Sequence, residues 1–584
     1  MATVTLRLRY LTWAALLFTH CVAYSKGLSL SLSLSLSLSL ALPCLPILLH
    51  LGSSLSHGLW YDSTAYTECK ANPEGPLYGG GILPDPARVI QVNNETAASS
   101  PAYVLDNLAT GTRYAFSCWV KIRGEESALV KARLATGNAT IRCIGTALAR
   151  NGCWSFLKGG FVLDSPPSDT SIIYFKNAGA SRVEISIASA SLQPFTVDQW
   201  RAHQEENIRR KRKRVVAVHV ADSEGIRVSQ AAVSVELVSK DFPFGSAMDK
   251  TILGNPPYQA WFVERFNAAV FENELKWYAT EPEAGRVNYT AADELLGFAR
   301  ANRIAVRGHN IFWENPLYTP AWVRNLTDDQ LAAAVESRIG SLLSRYSGEF
   351  VHWDVNNEML HFDFYEQRLG KDASRRFFDA ARRSDPLATL FMNEFNVVET
   401  CDDAYSTVDS YVLRLQELAD GGAARLEGVG LQGHFGRPNV PLMRAVLDKL
   451  AILGLPIWLT EVDINKAFHQ ETQAVYLEQV LREGFAHPAV EGIMLWTAFH
   501  PRGCYQMCLT DGEFRNLPAG DAVDRLLREW ETKAAAGATD EHGTFSFEAF
   551  LGEYKVRVTH GNRSAESTLS LPRGDETKHL SIRI

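Results

Sequence analysis

Two glutamates end apolar runs of the kind that form buried parallel strands. Glu358 closes Val-His-Trp-Asp-Val-Asn-Asn-Glu (351–358), and Glu461 closes Pro-Ile-Trp-Leu-Thr-Glu (456–461). A carboxylic acid that protonates a leaving oxygen, facing a carboxylate that stays ionised to attack carbon, is what cleavage of a glycosidic bond requires; retention of configuration sets the two about 5–5.5 Å apart. Repulsion at that range splits their proton affinities, so one residue type supplies both an acid and a nucleophile. That chemistry uses no metal and no organic cofactor, and none is expected.

Bringing two such side chains to one point requires a scaffold. Eight apolar strand candidates alternate with amphipathic helical stretches, at 242–248, 269–272, 304–309, 351–355, 390–393, 429–432, 457–461 and 492–496. Their number and spacing predict a (β/α)8 barrel, in which the C-terminal ends of all strands share one mouth. Polar residues recur at those ends: Asn273 and Lys276, His309 and Asn310, Asn357 and Glu358, Asn393 and Glu394, Gln432 and His434, Glu461 and Asp463, with Trp496 after the eighth. A doubly wound sheet would not gather polar groups after nearly every strand. Any one of them alone reads as a satisfied core group; their convergence makes them site candidates. Asn393-Glu394 repeats the Asn-Glu pair of 357–358, so the pattern alone nominates Glu394 as well.

At 584 residues the chain is too long for one core. Its 66 acidic residues exceed 58 basic ones, which argues against a nucleic-acid partner and suits a neutral polymer. Arg7 and Arg9 precede an apolar stretch from Leu11 to Ala23, the order of a secretory signal. The Leu-Ser alternation that follows, 28–40, is what a repeated CT dinucleotide encodes, so residues 1–57 are assigned a leader and no folding role. No later stretch is long and apolar enough to cross a bilayer. The mature chain is therefore expected to be secreted, extracellular, monomeric and without stable membrane association. Sequons at Asn94, Asn138, Asn288, Asn325 and Asn562 are compatible with that route. Seven cysteines lie outside the leader, an odd number that leaves at least one free or paired to another chain; Cys143/Cys153 and Cys504/Cys508 have loop-closing spacings.

Flanking the barrel, assigned to 242–536, the pattern changes. Residues 58–196 carry short β-rich runs between Gly, Pro and Asn turns, which predicts a β-sandwich. Residues 197–214 read as a solvated linker helix ending in six basic residues. Segments 215–241 and 537–584 each hold too few alternating strands to stand alone. They are expected to pair into one small β-sandwich into which the barrel is inserted.

Six segments in order resemble glycoside hydrolase family 10, the endo-1,4-β-xylanases, and its plant members in particular: Phe-Pro-Phe-Gly-Ser-Ala (242–247), Glu-Asn-Glu-Leu-Lys-Trp (272–277), Arg-Gly-His-Asn (307–310), Trp-Asp-Val-Asn-Asn-Glu (353–358), Gly-Leu-Gln-Gly-His (430–434) and Trp-Leu-Thr-Glu-Val-Asp (458–463). The resemblance implies that Glu358 is the general acid/base and Glu461 the nucleophile of a retaining enzyme acting on xylan or arabinoxylan, and that Glu394, where the family usually has Asp without catalytic duty, is a structural or subsite residue. It implies further that Asn357 contacts the 2-hydroxyl, that His434 orients Glu461 with Gln432 and Asp463 nearby, that Asn273, Lys276, His309 and Trp313 contact sugar on the non-reducing side, and that Trp496 floors the cleavage site. Three departures stand out. Gly433 replaces the usual Ser, Glu314-Asn315 follow Trp313, and a downstream Trp is replaced around Cys504-Tyr505, where Tyr505 is the candidate stacking residue. Residues 58–195 resemble a family 22 carbohydrate-binding module through 113–119 and 152–161, with Trp119 and Trp154 read as core. The expected activity is endo-1,4-β-xylanase. Its rivals are a xylan endotransglycosylase, which would share both glutamates, and a noncatalytic wall-binding protein.

Overall fold

The computed structural model describes residues 69–84, 91–92, 95–96, 101–136, 141–167, 170–419 and 427–584. The leader assigned to 1–57 and the sequons at Asn94 and Asn138 lie outside the described residues.

Eight parallel strands close a barrel: Phe244–Met248, Ala268–Phe271, Ala305–Trp313, His352–Asn357, Thr389–Glu394, Gly428–Leu431, Ile457–Ile464 and Val490–Leu495. Each pairs with the next, and Phe244 opposite Ile493 joins the first to the eighth. Strands covered on both faces are apolar throughout rather than alternating; every residue of the second and seventh is buried. The outer helices carry one apolar stripe each. In Asp328–Tyr346, capped by the reciprocal Thr327/Gln330 box, that stripe is Leu331, Val335, Ile339 and Leu342. The third strand runs to Trp313, four residues beyond the stretch expected, which puts Trp313 at the mouth.

Strands from either side of the barrel pair with each other. Lys213–Ala221 lies antiparallel to Thr544–Phe550 and parallel to Lys578–Arg583, while Ala232–Lys240 lies between Ala534–Ala538 and Gly552–His560. Val216, Val218, Val235, Val556, Val558, Leu569 and Ile582 form the shared core. Two similar turns set its edges: Asp222 accepts from the N–H groups of Glu224 and Ile226, and Asp540 from those of His542 and Thr544. Deleting Asp540–Ile584 removes partners from Val216, Val218 and Val235. At about 1.5–3 kcal/mol per fully buried aliphatic side chain, the truncated protein should aggregate or melt well below the full chain; a soluble truncation with unchanged melting would contradict this packing.

The basic helix is Val197–Arg212, and Lys213 and Arg214 already belong to the strand that follows. It is docked rather than solvated: Trp200 and Gln204 donate to Glu483 at 2.9 and 2.7 Å, and buried Arg212 donates to the carbonyls of Phe485, His487 and Val490. Ahead of it, seven antiparallel strands hydrogen-bond as one continuous sheet around a common core that includes Phe116, Val130, Ile144, Leu157 and Leu192. Trp119 is 1% exposed and packs on Phe156.

The loop-closing pair Cys143/Cys153 does not form. Cys143 begins an extended strand, Ile141–Arg150, that the sequence reading missed, and at about 3.3 Å per residue a strand carries its two ends too far apart for a disulfide. The disulfides are instead Cys69–Cys153, Cys143–Cys401 and Cys504–Cys508, and Cys118 is a buried free thiol.

Candidate active site

The two catalytic candidates stand just past the fourth strand and within the seventh. Glu358 adopts φ +62°, a left-handed conformation that costs a non-glycine residue about 1–3 kcal/mol. Its backbone N–H is tied to the carbonyl of Asn393. Its carboxylate accepts from Trp313 Nε1 at 2.6 Å and from Gln432 Nε2 at 3.1 Å. Glu461 accepts from Asn393 Nδ2 at 2.8 Å and lies 3.3 Å from His434 Nε2, while His434 Nδ1 is 3.0 Å from Asp463. Asn393 Nδ2 also donates to Asn357 Oδ1 at 2.9 Å. One asparagine therefore connects Asn357 with Glu461.

The non-reducing-side candidates join this cluster through Lys276. Its ammonium lies 4.8 Å from the Trp313 ring and 5.3 Å from the Trp496 ring, and donates to Asn273 Oδ1 at 3.2 Å. His309 packs edge-on against Trp496 at 5.3 Å and is held by Asp354 through Nδ1 at 2.9 Å. Asn273, Lys276, His309, Trp313, Asn357, Glu358, Gln432, His434, Glu461 and Trp496 are thus brought together. Tyr505 reaches the rim beside His434, with ring centroids 5.3 Å apart.

The environments of the two carboxyls differ as acid and nucleophile require. Burial, then the neighbouring charge of Glu394, pushes Glu358 up to about 7 against the hydrogen bonds from Trp313 and Gln432. Burial also opposes ionisation of Glu461, but the hydrogen bond from His434 and the positive field of His309, His434 and Lys276 outweigh it and hold this carboxyl below the ordinary glutamate value. His434, despite burial, is raised well above an ordinary histidine by Asp463 and Glu461, so it is the cation of the pair.

Gln432 serves both glutamates: its side-chain amide donates to the Glu358 carboxylate, and its backbone carbonyl accepts from the Glu461 N–H at 2.7 Å. Glu314 does not face the mouth: successive strand residues alternate, and while Trp313 points to Glu358, Glu314 points outward, fully buried, accepting from Asn356 Nδ2 and the Tyr365 N–H. Gly433, the departure noted from the usual Ser, sits at φ +91° with its N–H bonded to Glu399, a conformation that favours glycine. Asn393 was a strand-end candidate without an assigned role, and the structure gives it one as the bridge between Asn357 and Glu461.

Glu394 is fully buried and accepts from the backbone of Leu360 and Phe395 and from His361 Nδ1 at 2.8 Å, anchoring the turn after Glu358. Glu394→Gln should therefore keep substantial activity at a stability cost of about 1–3 kcal/mol. Because the Glu394 charge raises the proton affinity of Glu358, the basic limb of the kcat/KM profile should move to lower pH; Trp313→Phe, which removes a bond to the ionised form, should move it to higher pH. Limbs that stay fixed, or a Glu394→Gln loss matching Glu358→Gln, would contradict the assignment. Among the described residues, Asp249, Glu272 and His500 have ligand atoms within 4.8 Å of one another; a double displacement does not call on them.

Comparison with known proteins bears on this geometry. A family model described as glycosyl hydrolase family 10 matches residues 234–502. The chain is 38% identical over 462 residues to endo-1,4-beta-xylanase 5 of Arabidopsis thaliana, covering 78% of this chain and 80% of that protein. It is 35% identical over 553 residues to endo-1,4-beta-xylanase 4 of the same plant, covering 91% and 95%, and 36% identical over 503 residues to endo-1,4-beta-xylanase 5-like, covering 85% and 83%.

Proposed function

Because the chain belongs to glycosyl hydrolase family 10, we propose that it is an endo-1,4-β-xylanase that cleaves cell-wall xylan by a retaining double displacement. The observation that carries the reading is the opposite tuning of two neighbouring carboxyls, Glu358 raised to about 7 and Glu461 lowered. Protonated Glu358 gives its proton to the leaving glycosidic oxygen while Glu461 attacks the anomeric carbon and forms a glycosyl ester. Esterification removes the Glu461 charge, one of the causes that raise Glu358. The Glu358 proton affinity then falls, and its carboxylate takes a proton from water as that water displaces the sugar. Three disulfides support secretion, since they persist in oxidising compartments. Among the described residues, no helix is long and apolar enough to cross a membrane.

The test is incubation of the purified protein with soluble arabinoxylan, reading viscosity and new reducing ends together. A fall in viscosity that precedes extensive release of reducing ends supports internal hydrolysis. Transfer of polymer onto a labelled xylo-oligosaccharide without a net gain in reducing ends would favour the transglycosylase, and binding without bond cleavage the noncatalytic reading.

A further inference from the structure

The loops that follow the fifth, sixth and seventh barrel strands meet the N-terminal sheet, and a groove of about 330 Å³ lies at the junction. Its barrel wall includes Thr400, Arg437 and Phe468, one from each loop; its module wall includes Arg142 and Asp164. Loops at the C-terminal ends of barrel strands surround the catalytic mouth, so the groove belongs to the same face as Glu358 and Glu461. A further wall residue connects the two places: Glu399 accepts from the N–H groups of Gly433 and His434 at 2.9 and 3.0 Å, and His434 holds Glu461.

The walls are fixed to each other. Cys143 in the module is disulfide-bonded to Cys401 in the fifth loop, Lys131 donates to the Asp402 carbonyl at 2.7 Å, Asn439 donates to the Gly160 carbonyl at 2.9 Å, and buried Lys158 pairs with Asp448. A groove with preset walls binds without the entropic cost of ordering two modules. Its volume is at the low end of the roughly 300–1,000 Å³ typical of ligand clefts.

The lining chemistry selects the ligand class. In the groove walls Arg142 and Arg437 both pair with Asp164, and the remaining carboxylates are Glu399 and Asp402, the latter also facing Arg133 behind the wall, so no unpaired cation lines the groove to hold a polyanion. Half-exposed guanidinium edges, carboxylates and an aromatic ring are instead the groups that hydrogen-bond and stack an uncharged sugar. The sugar contacts assigned to the non-reducing side, Asn273, Lys276 and Trp313, stand at the C-terminal ends of the second and third strands, across the mouth from the fifth to seventh. From this arrangement we propose that the junction groove is a distal subsite for the leaving-group arm of the polysaccharide, with the N-terminal module serving as one of its walls. This rests on the xylanase reading above.

The experiment compares full-length wild type, Arg142→Ala and the groove-filling Thr400→Trp on xylo-oligosaccharides of increasing length, on soluble xylan, and on an aryl xylobioside whose leaving group is too short to reach the junction. Arg142 makes a hydrogen bond only to Asp164 among the described contacts and is half-exposed, so its loss should leave folding intact. Each variant should lose about three- to tenfold in kcat/KM on polymer, through KM, and should show a flattened rise of kcat/KM with chain length. Its rate on the aryl xylobioside should be unchanged. An equal loss on polymer and aryl glycoside, or an unaltered length dependence in both variants, would overturn the subsite and leave the groove a structural joint. A wild type that cleaves none of the substrates would overturn the activity reading itself, and the groove assignment with it.

Discussion

Replacing Glu461 by alanine should reduce xylan hydrolysis by more than about 10⁴-fold, because no other group can form the covalent intermediate. The fold should survive. Glu461 is held by Asn393 and His434, and each keeps another partner when it is gone: Asn393 its bond to Asn357, and His434 its ion pair with Asp463. Azide is small and anionic enough to enter the vacated space beside His434 and Lys276. Added azide should restore cleavage of an activated aryl xyloside and yield the glycosyl azide of inverted configuration. Full activity in Glu461→Ala would remove this residue from the mechanism.

Glu358→Gln should lower xylan turnover by about 10²–10⁴-fold, the usual contribution of a positioned acid/base, and the size of the loss should depend on the leaving group. With a good aryl leaving group, formation of the glycosyl-enzyme needs little proton donation. A rapid burst should then appear, followed by slow turnover, because the base for the water step is missing. The pH profile supplies the sign. Wild-type kcat/KM should fall as pH rises through about 7, where Glu358 loses the proton it must donate. It should also fall in acid, where Glu461 becomes protonated, at a pH below the ordinary glutamate range. The basic limb should vanish in Glu358→Gln, and a limb that persists unchanged would assign it to another group.

Both glutamates and the strand ends that carry them were legible because barrel strands are apolar runs whose polar termini stand out against them. Side-chain direction was less legible. Trp313-Glu314 and Asn356-Asn357 are adjacent pairs in which one member faces the mouth and the other an outer helix, and strand alternation separates them only once the register is known. Gln432 was read beside Glu461 alone, which its carbonyl does hold through the Glu461 N–H; spacing along the chain cannot say that its side-chain amide also reaches Glu358. The Cys143–Cys401 bond was invisible because its separation of 258 residues is closed by docking of the module on the barrel and not by local geometry. The basic helix looked solvated because its charge dominates its composition; Trp200, Gln204 and Arg212 form a buried face whose partners, Glu483 and the carbonyls that follow it, lie far along the chain.

The stereochemistry of the first-formed product tests the account most directly. Time-resolved proton NMR of the wild-type enzyme acting on a xylo-oligosaccharide should show new reducing ends appearing first as the β-anomer, with the α-anomer growing in later by mutarotation, as two successive inversions through Glu461 require. Initial release of the α-anomer would mean a single displacement by water and would contradict the assignment of Glu461 as a covalent nucleophile.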